Sequence, residues 1–457
     1  VSFLLEALQK IKGEILMEKN GLIVGIQEKP KSVASWLILS LQHVFAMFGA
    51  TVLVPLLTGL DVGVALVASG IGTLIYIACT KAKVPVYLGS SFAYIPAISA
   101  AVLSTAGVGT AYVGLMVVGL IYAIVATVIR FVGSGWLKKL LPPVVIGPMI
   151  IIIGMTLAPV AVGTAGLNGQ SGWRIPVVAL ITFLTVIVLS IKAKGFLKIV
   201  PFLVAILVGY LAAIVFGLFV TDDPAQYIRI FAGWNHDFFI LPSFVGAKFL
   251  QFPNFVFLGT YPIDFSAVLI FAPLAFVTIA EHIGDHVVLG EITGNDFLTD
   301  PGLENTLMGD GVATFVAAAI GGPANTTYGE NTGVVAITKV GSVYVTGLAA
   351  IFAILLGFFG WIQAFINSIP WAVIGGMTIV LYGLIAANGV KILIKDKTDL
   401  GNMKNLIIVS TMLVIGLGGA LFQINTASAL SGMSLAAIVG ILLNQGINLL
   451  ERIGKKA

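Results

Sequence analysis

Fourteen apolar stretches succeed one another along the chain, near residues 36–57, 62–80, 84–101, 109–132, 140–160, 175–191, 199–220, 265–290, 310–323, 325–340, 342–364, 369–390, 405–421 and 432–450. Most approach the roughly 20 residues a helix needs to cross a bilayer. Within lipid no water satisfies backbone N–H and C=O groups, so such segments must be helical unless protein or a wet cavity covers them. The 457 residues are 58% hydrophobic and 10% charged, against about 25% charged in an ordinary soluble domain. The 53 glycines show no three-residue period, which excludes a collagen-like fibre. An all-α polytopic membrane protein is the fold class these features imply. One cysteine, Cys79, supports neither a disulfide framework nor a metal cluster and reads as a packing residue.

Basic residues orient the spans. With the N-terminus cytoplasmic, every lysine and arginine except Arg174, Arg229 and Lys248 falls on the inner side, as the positive-inside rule requires. The sequence pI near 9.0 therefore reports loop placement rather than nucleic-acid binding. Both termini are expected in the cytoplasm. The inner loop 291–308 is anomalous, carrying only the acids Glu291, Asp296, Asp300 and Glu304. Residues 1–35 read as a cytoplasmic segment whose start is too charged to span and suits a short interfacial amphipathic helix. Lys12-Gly13-Glu14 can be encoded by a purine-rich ribosome-binding sequence shortly before Met17, which suggests translation from Met17. Residues 221–264 form the longest external segment.

Two stretches cannot be simple helices. "VPVYLGSSFAYIPAISA" contains Pro85, Gly89, Ser90, Ser91 and Pro96, and "GGPANTTYGENTGVVAITK" contains Gly321, Gly322, Pro323, Asn325 and Gly329. They are the third span of the first seven and the third of the second seven. Broken helices at matching positions in two halves mark inverted-repeat secondary transporters, and seven spans per half makes the repeats inverted. Glycines can also serve only close helix packing, but here they coincide with Ser, Thr, Asn and Glu.

The ionisable groups cluster near these breaks. Glu281 and Asp285, in "AEHIGDH", are one turn apart on a common helix face, and Glu330 comes from the second break. A carboxylate in mid-bilayer is costly unless paired, protonated or wetted, and such groups usually mark ion or substrate paths. Glu281, Asp285 and Glu330, with His282, are thus candidate proton-coupling groups; Glu330 has the plainer alternative of capping its half-helix. Asp285 and His286 approach the cytoplasmic end, where simple hydration is the alternative. His282, and His43 with Gln42 in the first span, fit helix–helix hydrogen bonds at least as well as ligand contacts. The acid–imidazole run lacks the H-E-x-x-H spacing of a zinc hydrolase, and no phosphate-binding loop is present. No metal, organic cofactor or ATP chemistry is expected.

With these residues assembled, the chain resembles the uracil-transporting members of the nucleobase:cation symporter-2 (nucleobase–ascorbate transporter) family over about residues 25–450. The marks are "LQHVFAMFGATVLVPLLTG" (41–59), "GSSFAYI" (89–95), "AEHIGDH" (280–286) and "TTYGENTGVVAITKVGS" (326–342). The resemblance implies 14 transmembrane segments in two inverted seven-span repeats, with short strands in spans 3 and 10. It implies a core domain from residues 36–132 and 265–364, and a gate domain from residues 140–220 and 369–450. It makes Glu281, Glu330, Phe92 and Gly329 substrate-binding, with Gln42, His43, Tyr328 and Asn331 in support. Some uracil transporters have histidine where Asp285 stands, which leaves the wiring of the proton path open. The implied partners are uracil, protons and membrane lipid, and the resemblance admits a homodimer. A xanthine or purine symporter of the same fold is the nearest alternative, and a related-fold anion carrier the next; the latter should carry a basic residue at the breaks, and none is there.

Overall fold

The computed structural model describes residues 22–103, 107–169, 171–194, 196–219, 247–261, 268–425 and 428–454. The expected amphipathic start and the proposed initiation at Met17 lie outside them, as do residues 220–246 and 262–267, which include most of the expected external segment.

The first half comprises α1 (Val33–Thr58), α2 (Val62–Cys79), β1 (Leu88–Ser90), a 3-10 turn (Phe92–Tyr94), α3 (Ile95–Leu103) and α4 (Val108–Val132). It continues with α5 (Gly135–Leu140), α6 (Pro143–Thr156), α7 (Ala158–Thr164), α8 (Arg174–Lys192), α9 (Phe196–Ile199) and α10 (Pro201–Phe219). The second half has α11 (Val268–Thr293), α12 (Leu303–Ala319), β2 (Asn325–Thr327), α13 (Gly329–Thr338), α14 (Val343–Gly357) and α15 (Gly360–Asn367). It ends with α16 (Trp371–Lys395), α17 (Met403–Leu417), β3 (Leu421–Asn425), β4 (Ser428–Ser431) and α18 (Gly432–Gly454).

Helix ends follow local chemistry. Ser32 caps α1 by accepting from Ser35 N at 3.1 Å, and Gly59, at φ 74°, lets the chain leave that helix in a left-handed turn. Asp61 caps α2 through Val64 N at 2.8 Å and also holds Asn254 Nδ2 at 2.8 Å. Among the described residues seven helical stretches are long and apolar enough to cross a membrane, and shorter apolar helices lie at Phe92–Val102, Pro201–Phe216, Val343–Gly357 and Met403–Leu417.

Packing interleaves the two halves. α4 lies on α12, α2 on both α12 and α14, α1 on α14, and α11 on α4. Separately, α16 packs against α6, α7 and α8, α10 against α8, and α17 against α18 and α6. Glycines permit the closest crossings: a Cβ on Gly311 would stand 2.6 Å from the Tyr122 Cβ, and one on Gly389 would stand 2.5 Å from the Gly147 carbonyl. Such approach supplies the van der Waals contact that holds helices together where apolar burial does not distinguish helix from lipid.

Three boundaries differ from expectation. The acidic loop is shorter than 291–308, because α11 runs to Thr293 and α12 begins at Leu303. Its anomalous acids have partners: Lys83 pairs with Asp300 at 2.5 Å, Lys395 pairs with Glu291, and Asp296 accepts from Leu298 N at 3.1 Å and Thr299 Oγ1 at 2.6 Å. α12 also starts well before residue 310, which places Asp310 inside the helix. Between the last two expected spans, β3 pairs antiparallel with β4, Leu421 opposite Ser431 and Phe422 opposite Leu430. The described part of the external segment docks against the α14–α15 turn, where Gln251 N donates to Phe358 O at 2.8 Å.

Candidate functional site

The two broken stretches meet. β1 and β2 pair antiparallel, Leu88 opposite Thr327, Gly89 opposite Thr326 and Ser90 opposite Asn325. Ser91 N donating to Ala324 O (2.9 Å) and Tyr328 N to Tyr87 O (3.2 Å) extend the ribbon at both ends. Two short strands in an apolar bundle would leave outer backbone groups unpaired, and polar side chains from neighbouring helices meet several of them. Ser69 Oγ donates to Leu88 O at 2.7 Å, Leu88 N donates to Thr73 Oγ1 at 2.9 Å, and Thr314 Oγ1 donates to Asn325 O at 3.0 Å. Asn325 Nδ2 in turn donates to Ala68 O at 3.1 Å.

Because the ribbon is antiparallel, the half-helices leave from opposite ends: the Phe92–Tyr94 turn leads into α3, and α13 begins at Gly329. Tyr328 is pinned between them. Its hydroxyl donates to Ser90 O at 3.0 Å and accepts from Thr51 Oγ1 at 3.3 Å. Gly89 makes this possible, since a Cβ there would run into the Tyr328 ring and lie 2.8 Å from Thr51 Oγ1. Gly329 differs. It is exposed, and a Cβ there would meet nothing within 4 Å. Its backbone N–H belongs to the first turn of α13, where no preceding helical carbonyl is available and the helix dipole favours negative or electron-rich ligands.

Around this open helix start stand the three carboxylates. Glu330 follows Gly329 directly. Glu281 and Asp285 face it from α11, and all three lie within electrostatic reach of one another. Thr327 Oγ1 donates to Asp285 Oδ2 at 2.5 Å. Glu281 Oε2 is covered by protein and has no hydrogen-bond partner. No described Lys or Arg forms an ion pair with any of the three within 4.0 Å. Asn331 Nδ2 donates to His43 O at 3.1 Å and lies 3.1 Å from His43 Nδ1, tying α13 to α1. Gln42 is half-buried with Oε1 unpartnered. Phe92 is buried at the other end of the ribbon, its ring edge-on to Tyr382 of α16 with centroids 6.1 Å apart.

His282 turns away from this group. Its Nδ1 lies 2.9 Å from Asp310 Oδ2 in a pair that is almost fully enclosed. The His286 ring, stacked on His282 with centroids 4.0 Å apart, donates from Nδ1 to His282 O at 2.7 Å, and its Nε2 is hydrogen-bonded to the Tyr76 hydroxyl. Sequence reasoning missed Asp310, Tyr382, Thr327 and Tyr76. Asp310 was hidden by taking it as the first residue of a span. The usable signal was its place in "TLMGDGVATF", a lone acid between small and apolar residues that continues a helical pattern from Leu303.

Half-helices joined at a buried ribbon, with acids around one open helix start, define the class: a multi-pass membrane transporter. A family model described as "Permease family" matches residues 34–424, and the chain belongs to that family, the nucleobase:cation symporter-2 group its motifs point to. The chain is similar to the uracil permease of Bacillus caldolyticus, 46% identical over 431 residues covering 93% of this chain and 94% of that protein. It is likewise similar to the uracil permease of Escherichia coli (strain K12), 42% identical over 425 residues, 92% of this chain and 93% of that one. In fold it resembles the transmembrane domain of a cyanobacterial bicarbonate transporter, BicA, with TM-score 0.59 at 16% identity, covering 92% of this chain and 98% of that domain. The murine solute carrier 26 family member A9 anion transporter in the inward-facing state gives TM-score 0.67 at 9% identity, over 93% and 69% of the respective chains. These two likenesses concern the fold alone, the inverted-repeat arrangement of seven and seven.

Proposed function

We propose that the chain takes up uracil across the bacterial cytoplasmic membrane together with protons, by alternating access. The observation that carries this reading is the open start of α13, where Gly329 leaves space and the adjoining Glu330 lies within electrostatic reach of Glu281. Uracil is a small flat neutral ring with two N–H donors and two carbonyls. Carboxyl oxygens of Glu281 and Glu330 accept the N–H groups, first-turn N–H groups at Gly329 serve a carbonyl, and Phe92 covers a face. The relatives named above as uracil permeases support this substrate over a purine.

In this reading a proton neutralises one of Glu281, Asp285 and Glu330 as uracil binds, since three carboxylates sharing one site cannot all be ionised cheaply. Tyr328, Asn331, His43 and Gln42 hold the frame, and His282 acts through Asp310 rather than on the substrate. The loaded core, residues 36–132 and 265–364, then moves against the gate, residues 140–220 and 369–450. Two separately packed helix groups, touching where α11 meets α6 and α18 and where α10 meets α1, support that division.

The test is radiolabelled uracil uptake into proteoliposomes under an imposed inward proton gradient without sodium, with and without a protonophore, against unlabelled uracil, xanthine and sulfate. Accumulation abolished by the protonophore and by unlabelled uracil is expected. Accumulation of xanthine instead, or uptake only after sodium is added, overturns the substrate or the coupling ion respectively.

A further inference from the structure

A cavity of about 130 Å³ opens beside Glu330 and leads away from the ribbon. One face of α13 lines it through Glu330, Gly333 and Ile337, whose spacing of three and four residues places them in a row about 10 Å long. Phe45 of α1 closes a second side, and the α9–α10 corner supplies Lys198 and Pro201. Lys198 is exposed at the outer end and is the one basic side chain among the described residues lining the cavity. The charge bias assigns its loop to the cytoplasmic side, and the far end of α13 lies on that side too, with Ile23 N donating to Lys339 O at 2.6 Å. Of the three site carboxylates, Glu330 is the one that lines this cavity.

We propose that this cavity is the cytoplasmic release route, and that Lys198 is the counter-charge that replaces the substrate's N–H donors on Glu330 as the site empties. The proposal rests on the proton-coupled uracil reading. When uracil leaves, its N–H donors go with it, and Glu330 faces Glu281 and Asp285 from α11, the Tyr328 hydroxyl from its own entry strand, and His43 of α1, which is engaged by Asn331. Deeper still, Asp310 is occupied by His282. None of these offers Glu330 a positive charge while the imidazole of His43 is neutral. In the loaded state Glu330 carries the coupled proton on one carboxyl oxygen and accepts the uracil N–H with the other; as uracil leaves, that O–H bond breaks, the proton passes to cytoplasmic water, and the electron pair stays on a carboxylate at the head of the cavity that Lys198 lines. Lys198 is a positioning residue of the release step. It touches no substrate in the loaded state.

The experiment compares wild type, Lys198→Gln, Lys198→Arg and the neighbouring Lys194→Gln in proteoliposomes. It measures uracil–uracil exchange and proton-driven net uptake while the internal pH is stepped from mildly acid to mildly alkaline. Lys198→Gln is expected to lower net uptake roughly tenfold at neutral internal pH, the scale of losing one partly screened charge partner. Exchange should change less than about twofold, since it needs no empty, deprotonated site. Raising the internal pH should restore net uptake, and the Arg variant and Lys194→Gln should behave as wild type. Net uptake by Lys198→Gln that equals wild type at every internal pH overturns the role of Lys198 and leaves the uracil reading standing. An equal loss of exchange and net uptake overturns it as well, by making the residue structural. A wild-type protein that exchanges no uracil refutes the underlying reading instead.

Discussion

Replacing Glu281 by glutamine separates binding from folding more cleanly than any other change at the site. Glu281 Oε2 is covered yet has no donor, and among the described residues Glu281 forms no ion pair. The substitution therefore breaks no bond at that oxygen, and it removes a charge that three neighbouring acids, Asp285, Asp310 and Glu330, oppose. Thermal stability should hold or rise. Binding should suffer, because an N–H donor of uracil loses a charge-assisted acceptor worth about 1.5–3 kcal/mol. An amide nitrogen turned toward the ligand would set donor against donor. At 1.4 kcal/mol per decade the affinity should fall between about tenfold and about a hundredfold. Calorimetric titration of the purified, detergent-solubilised variant with uracil, beside a thermal melt, measures both quantities. An affinity within about twofold of wild type, or a lower melting temperature, would refute the argument that this carboxylate is held for the ligand rather than for the fold.

Three further outcomes follow from neighbouring geometry. Asp285→Asn keeps an oxygen for Thr327 Oγ1 but removes the charge; uracil exchange should persist while proton-driven accumulation falls and its pH dependence flattens, and an unchanged pH profile would remove Asp285 from the coupling. Gly89→Ala drives a methyl into the Tyr328 ring and should cost about 1–3 kcal/mol of stability, whereas Gly329→Ala, with open space around its Cβ, should leave the melt unchanged and weaken uracil binding; equal melts for the two variants would contradict this contrast. Asp310→Ala leaves the fully buried His282 Nδ1 without its hydrogen-bond partner and should cost about 1–3 kcal/mol, read as a lower melting temperature, and an unchanged melt would show the pair to be dispensable.

The membrane class, the apolar stretches and the two breaks were legible because lipid imposes a coarse rule that sequence obeys openly: apolar runs punctuated by charge. Glu281, Asp285 and Glu330 stood out for the same reason. Asp310 did not, because a helix that starts at Leu303 with Glu304, Asn305 and Thr306 reads as loop until Asp300 and Asp296 are seen to organise the turn before it. The bias of basic residues was likewise readable, while the partners of the acidic loop were not. Lys83 and Asp300 are far apart in the chain, and Lys395 reaches Glu291 from another helix, so only the folded arrangement pairs them.

The ribbon shows why some polar residues inside apolar runs carried no readable meaning alone. Ser69 and Thr73 sit one turn apart in α2, and Thr314 lies in α12; taken singly, each reads as a hydroxyl bonded back to its own helix, as Thr73 Oγ1 partly is with Ser69 O at 2.9 Å. Their common task appears once β1 and β2 lie between those helices and need donors and acceptors on their outer edges. Neither half of the chain can satisfy its own break, because the strand of each half pairs with the strand of the other. Pairing the two breaks gives each strand backbone partners it would otherwise lack, and the ribbon ends at Tyr328, which leaves Gly329 at the first turn of α13 with open space around it.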